Sequence, residues 1–240
     1  MSKIAEDANN VIIFQYRFIF GCGLEKKFDV KLDSKTLNLI STTKASYPKW
    51  TELTFFKCPN CSLDEKQHSF CPIVINLVDL VDFFRDMKSY EEVEVLVQSK
   101  ERVYMKHATL QQGISSLFGT YMVTSGCPIM KKLKPMVRYH LPFSTLRETQ
   151  YRVISMYLLT QYFLYRRGKT PDWGLKNLVK MYDDIQIVNK SLSQRLVHIR
   201  IKDATLNALI KLDIFAKHIS TLIHKDALDE MECLFNAYFE

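Results

Sequence analysis

Cys58, Cys61, His68 and Cys71 fall within the fifteen residues from Cys58 to Pro72 of a 240-residue chain, in the run Cys-Pro-Asn-Cys-Ser-Leu-Asp-Glu-Lys-Gln-His-Ser-Phe-Cys-Pro. Three thiols and an imidazole at this spacing form a ligand set suited to tetrahedral zinc. Pro59 and Asn60 supply a tight turn that aims the first two sulfurs at one point, as in a zinc knuckle. Ser62 stands where a glycine would strengthen that reading. Cys71 precedes Pro72 and an amphipathic run, which puts Pro72 at the first helical position and the thiol at the helix cap, where free amides favour a thiolate. His68 is the expected fourth ligand, because a two-residue spacer lets it and Cys71 reach the same ion. A dithiol redox pair is the competing use of Cys-Pro-x-Cys, but that pair opens a helix. Here Cys61 leads into Ser-Leu-Asp-Glu-Lys-Gln, which has no apolar face.

Cys127 is the second chemical focus. It precedes Pro128 at an expected helix start, near Lys131, Lys132 and Lys134, so free amides and cations surround its thiol. It is the alternative fourth ligand in place of His68, and Cys58, Cys61, Cys71 and Cys127 would equally suit an iron–sulfur cluster. With His140 as base and Glu148 as orienter, Cys127 would instead form the kind of set used in nucleophilic catalysis. A plain reading stands beside each idea: a buried cap cysteine for Cys127, and an ion pair with Arg152, four residues along a helix, for Glu148. Asp203 and Asn207 read as a helix-linking hydrogen-bond pair, and Cys22, between two glycines in a turn, as structural. His107, His198, His218 and His224 have no companions at ligand spacing. No phosphate-binding glycine loop, nucleophile elbow or His-Glu-x-x-His occurs.

The elements that must carry these residues follow from periodicity. With 47% hydrophobic residues the chain can bury a full core. Val11 to Phe20 alternates as a strand and Lys26 to Leu32 completes a hairpin; Leu37 to Ile40 and Trp50 to Lys57 read as further strands, the latter delivering Cys58. Ile73, Leu77, Leu80, Val81 and Phe84 fall at helical spacing. Val93 to Val97 and Val103 to Met105 form a second hairpin around Ser99-Lys100-Glu101.

From Thr109 the period turns helical, with Gly113, Ser116 and Gly119 as close-approach positions and Gly126 as the stop. A short basic helix from Lys131 to Lys134 closes at Pro135. Ser144 caps a helix so apolar from Tyr151 to Tyr165 that it belongs in the middle of a bundle. Two more helices follow on the stripes Leu175, Leu178, Tyr182, Ile185 and Ala208, Leu212, Phe215, Ile219. A last one is capped by Asp226, with Leu228, Met231, Phe235 and Tyr238 buried. The fold class is therefore α+β: an antiparallel sheet with one helix and a zinc-knuckle-like loop in residues 1–108, then an all-α helical bundle in residues 109–240.

The net charge of +7 is spread along the chain. Its basic segment from Lys131 to Arg138 is a candidate nucleic-acid contact, although no interleaved aromatic and basic motif accompanies it. The polar N-terminus has no leader pattern, and the greasy run Met156 to Tyr165 is too short to span a bilayer, which points to the cytoplasm and to no membrane partner. There cysteines remain reduced unless a metal holds them.

The set Cys58-Pro59-Asn60-Cys61, Cys71-Pro72 leading to Asn76-Leu77, Ser125-Gly126-Cys127-Pro128 and His140-Leu141-Pro142-Phe143 resembles an uncharacterised family of bacterial proteins, over most of the chain from the first strand onward. The resemblance implies a bacterial cytoplasmic protein and no particular activity. The functional expectation is a binding or regulatory module with structural zinc, since four protein ligands leave no position open for water. An enzyme using Cys127 and His140 and a nucleic-acid-binding protein are the rivals; the partner, protein or nucleic acid, and the oligomeric state are left open.

Overall fold

The computed structural model describes residues 10–223 and 228–240. Its sheet has four antiparallel strands in the order β2-β1-β3-β4, with β1 Val11–Phe20, β2 Glu25–Asp33, β3 Glu92–Gln98 and β4 Val103–Thr109. Strand alternation decides the inner face. Phe14, Tyr16, Phe18 and Phe20 of β1 share it with Phe28, Val30 and Leu32 of β2 and with Val93, Val95 and Val97 of β3, all buried. Against this face lie α1 (Pro72–Phe84), which carries Leu77, Val81 and Phe84, and α2 (Leu110–Thr124), which carries Leu110, Ile114 and Leu117.

Helix α2 is packed by the sheet on one side and by a later helix on the other. A Cβ built on Gly113 would lie 2.7 Å from Phe18 Cε1 and 2.9 Å from Val95 Cγ2, so this glycine admits the sheet rather than another helix. A Cβ built on Gly119 would lie 3.6 Å from Leu212 Cδ2, so this glycine faces the later helix. Gly126, at φ +95°, ends the segment as expected of a residue just past a helix. The chain continues through α3 (Lys134–Arg138), α4 (Leu146–Arg166), α5 (Lys176–His198) and α6 (Asp203–Ile223). One cluster of buried apolar side chains runs from the sheet to Ile219 of α6.

Several local expectations are corrected. Leu37 takes φ 55° and only Leu39 bridges to Leu32, so residues 37–40 are not a strand. Lys49–Thr51 is a 3-10 turn, and the stretch to Lys57 keeps a single bridge, Glu52 to Phe70; its carbonyls are used by a buried arginine instead of a sheet. Val103 and Met105 face solvent, because on the edge strand β4 it is Tyr104 and Ala108 that share the inner face of Val97 and Val93. Met130–Leu133 is a 3-10 turn and Pro135 opens α3 rather than closing a helix, as its fixed φ and missing N–H allow.

The helix expected at the centre of the bundle is peripheral. Thr145, not Ser144, caps α4 in a reciprocal box with Glu148. Only the stripe Gln150, Val153, Ile154, Tyr157 and Gln161 is buried, while Leu159, Tyr162 and Phe163 remain about half exposed, since among the described residues no further helix covers them. The expected cap Asp226 lies outside the described residues. Beyond it Asp229–Glu232 is a single helical turn and Cys233–Tyr238 a 3-10 turn, with Phe235 and Tyr238 exposed and Met231 packed against the core.

Candidate functional site

Three separate segments bring four thiols to one place. The Cys58–Cys61 turn is closed by Cys61 N–H donating to the Cys58 carbonyl at 2.9 Å, and Asn60 Nδ2 donates to the Asp184 carbonyl and to Asp184 Oδ1, each at 3.1 Å, which ties the turn to α5. Cys71 caps α1 with Pro72 behind it, and its N–H donates to the Thr51 carbonyl at 2.9 Å. Cys127 follows Gly126 at the end of α2 and leads into the 3-10 turn. Cys58, Cys61, Cys71 and Cys127 line one cavity of about 20 Å³ together with Leu53, Val188 and Arg195. A space of that size holds a single water or ion.

His68, in contrast, is exposed in the turn organised by Asp64, whose carbonyl accepts its N–H at 2.9 Å, and it does not line the cavity. All four cysteines are free thiols. Among the described residues no group of three or more His, Cys, Asp or Glu side chains is set to hold a metal ion as it stands.

Burial governs the thiols. It pushes Cys58 up to about 11, against a hydrogen bond with Ser191, and the neighbouring sulfurs of Cys71, Cys61 and Cys127 add to the rise. Cys71 and Cys127 are likewise raised by burial. The opposing pull comes from helix-start N–H groups, those of Val74 and Ile73 at Cys71 and of Met130 and Ile129 at Cys127, although no capping hydrogen bond forms at Cys71. Without a metal Cys58, Cys71 and Cys127 are neutral thiols at neutral pH, the reverse of activated nucleophiles.

Arg195 is the residue that sequence reading missed. It is 2% exposed, and its guanidinium donates to the carbonyls of Trp50 and Glu52 at 2.8 Å and of Leu53 at 3.2 Å. Among the described residues it meets no carboxylate within ion-pair distance. Its pKa is lowered by burial and partly restored by Cys71, Cys58 and Cys61. A signal was available: Ile185, Val188, Leu192 and Arg195 step by three, four and three, which sets an arginine on an otherwise apolar stripe.

The catalytic candidates stand apart from one another. Cys127 lines the thiol cavity, while His140 lines two other pockets and its Nε2 lies 2.5 Å from Tyr16 Oη. Burial, followed by the Arg152 cation, takes the His140 imidazole down to about 3, so it is neutral. Glu148 accepts from Thr145 N–H and Oγ1 at 2.7 and 2.9 Å, in the capping box. The expected ion pair with Arg152 is absent: that guanidinium donates to the Met136 and Tyr139 carbonyls, both at 2.8 Å. Asp203 and Asn207 do link elements, through Ser89: Ser89 N–H and Oγ donate to Asp203 at 3.0 and 2.8 Å, and Asn207 Nδ2 donates to Ser89 Oγ at 3.0 Å. In the basic segment, Lys134 Nζ is engaged with the Thr36 carbonyl and Asn38 Oδ1, whereas Lys131, Lys132 and Arg138 are exposed.

A larger cleft, about 440 Å³, lies between α2, the α3–α4 region, α5 and α6; Ser116, His140, Arg152, Tyr182, Asn189 and Phe215 are among its lining residues. Among the described residues no helix is long and apolar enough to cross a membrane. No curated protein and no solved structure matches the chain. A family model described as a domain of unknown function, DUF6901, matches residues 14–236, from the middle of β1 past α6, and the chain belongs to that family.

Proposed function

We propose that the chain is a binding module whose knuckle loop, sheet helix and helical bundle are tied together by one structural zinc ion on Cys58, Cys61, Cys71 and Cys127. The observation that carries this reading is Arg195. A cation so deeply buried, with three carbonyls and no carboxylate, calls for negative charge nearby, and the groups beside it are thiols. Four thiolates and a divalent ion leave two net negative charges, which Arg195 would offset in part. The helix-start amides at Cys71 and Cys127 favour the same thiolates.

Zinc suits the space better than an iron–sulfur cluster, because a cavity of about 20 Å³ matches one ion and not a cage of several atoms. Cys127 is preferred to His68 because His68 is exposed and outside the cavity lining. With four protein ligands the ion is structural, and its binding energy adds to folding. A reducing compartment, the bacterial cytoplasm in our reading, keeps the thiols available. Neither an enzyme on Cys127 nor a nucleic-acid contact at Lys131 to Arg138 has an observation in its favour: Cys127 and His140 line different pockets and Lys134 is held by Thr36 and Asn38.

Elemental analysis of the purified full chain tests the reading. About one equivalent of zinc is expected, retained in His68→Ala and lost in Cys127→Ala. Metal-free protein that is fully folded, or brown protein rich in iron and sulfide, would refute it.

A further inference from the structure

The large cleft has the size of a small-molecule site and a particular polar pattern. Its walls are mainly apolar, formed by residues such as Met122, Leu133, Leu141, Phe143, Leu212 and Phe215. Among the described residues the charged side chains that line it are Lys106, Arg152 and Lys211, with no Asp or Glu. A volume of about 440 Å³ falls within the range of ligand pockets.

Two groups on α5 face the cleft without their hydrogen bonds. Asn189 is 1% exposed, and its Oδ1 has no partner among the described residues, while its Nδ2 leans towards Asp213 Oδ1 at 3.5 Å, which fixes the amide's orientation. Tyr182 is 5% exposed, and among the described residues its hydroxyl makes no hydrogen bond. An acceptor buried without a donor is costly, and a ligand that brings the donor removes that cost. Arg152 lies near Tyr182; its Nη2 holds two carbonyls, and no carboxylate pairs with it, the nearby Glu148 being engaged by Thr145. Tyr182 and Asn189 are seven residues apart on one helix, and so about 10 Å along its axis.

We infer that the cleft binds an amphipathic organic acid: a carboxylate at Arg152 and the Tyr182 hydroxyl, an apolar chain along the walls, and a hydroxyl or amide donor about 10 Å from the carboxylate meeting Asn189 Oδ1. Charge complementarity selects the acid, since the charged side chains that line the cleft among the described residues are all cations. The unpaired Oδ1 selects a donor-bearing chain over a plain one. This deepens the binding-module reading and uses no part of the thiol site.

Calorimetric titration of the full chain with ω-hydroxydecanoate, decanoate and decylamine tests it. Both acids should bind, with decylamine at least about tenfold weaker, the direction expected when a cation faces cations. Asn189→Leu should weaken ω-hydroxydecanoate relative to decanoate about three- to tenfold, the loss expected for one neutral hydrogen bond. Binding of the amine as tight as the acids, binding of neither acid, or an Asn189→Leu effect that is absent or equal for both acids would overturn the inference. Protein free of metal that binds ω-hydroxydecanoate refutes the zinc site alone, and zinc-loaded protein that binds neither acid refutes the ligand alone.

Discussion

Acid should destabilise this protein through His140 before most carboxylates titrate. The imidazole sits beside the middle of β1, edge-on to Phe14 at 5.2 Å between centroids, with Nε2 against Tyr16 Oη. Tyr16 is fully buried, and its oxygen also has Ser116 Oγ at 3.1 Å in reach, so that hydroxyl can donate to it while it donates to the imidazole. Burial, reinforced by Arg152, lowers the imidazole from 6.5 to about 3. Between those values the unfolded chain binds a proton that the folded chain refuses. The depressed pKa therefore means stability that is fully present above pH 6.5 and falls as pH drops towards 3.

The slope for one such group is about 1.4 kcal/mol per pH unit. From pH 7 to pH 5 it integrates to about 2 kcal/mol, because the first half unit lies above the unfolded pKa. His140→Gln cannot titrate yet keeps an oxygen to accept from Tyr16. Urea unfolding of both proteins at pH 7 and pH 5 isolates the term as a difference of differences, since every other titrating group is common to the two. The wild type should lose about 2 kcal/mol more than the variant. Equal losses would show that His140 takes up its proton as readily in the fold as in the unfolded chain, and the neutral assignment would fail.

Three further outcomes follow from contacts already described. Gly113→Ala should destabilise by about 1–2 kcal/mol in urea unfolding, because overpacking against the fully buried Phe18 and against Val95 outweighs a gain in helix propensity of about 1 kcal/mol. Asp172→Ala should cost about 1–2 kcal/mol and fray the start of α5, since Asp172 accepts from Asn177 N–H at 2.7 Å, Lys176 N–H at 3.3 Å and Tyr157 Oη at 2.8 Å; amide exchange at Asn177 and Leu178 reads it locally. Arg195→Met should lower the melting temperature far more in zinc-loaded protein than in chelated protein, because it removes the cation facing the thiolates as well as the donor to three carbonyls; equal shifts in the two states would mean that Arg195 serves the carbonyls alone.

Alternation and helical spacing made most of the fold legible. β1, β2 and β3 carry strict period-2 patterns because one face of the sheet meets helices and the other meets water, and α1, α2, α5 and α6 each bury one stripe. Failures came where tertiary partners, not local pattern, decide the backbone. Residues 50–57 are rich in strand formers, yet their carbonyls turn towards Arg195, which lies about 140 positions further along the chain. The greasy face of α4 reads as central, but a pattern of apolar residues cannot say whether the chain supplies a second layer to cover it, and here it does not among the described residues.

The same distinction separates the legible part of the thiol site from the rest. Cys58, Cys61 and Cys71 are neighbours in sequence, so their spacing alone suggests a shared ligand. His68 shares that spacing, but a turn organised by Asp64 satisfies the backbone around it and leaves the imidazole exposed. Cys127 is fifty-six positions beyond Cys71, and only the packing of α2 against α1 and the sheet brings its cap next to the cap of α1. A thiol delivered by two helix ends arrives with amides already directed at it, and a buried guanidinium completes the field. That convergence of fields on four sulfurs is the feature a metal ion would exploit, and it is a property of the assembled core that no fifteen-residue window contains.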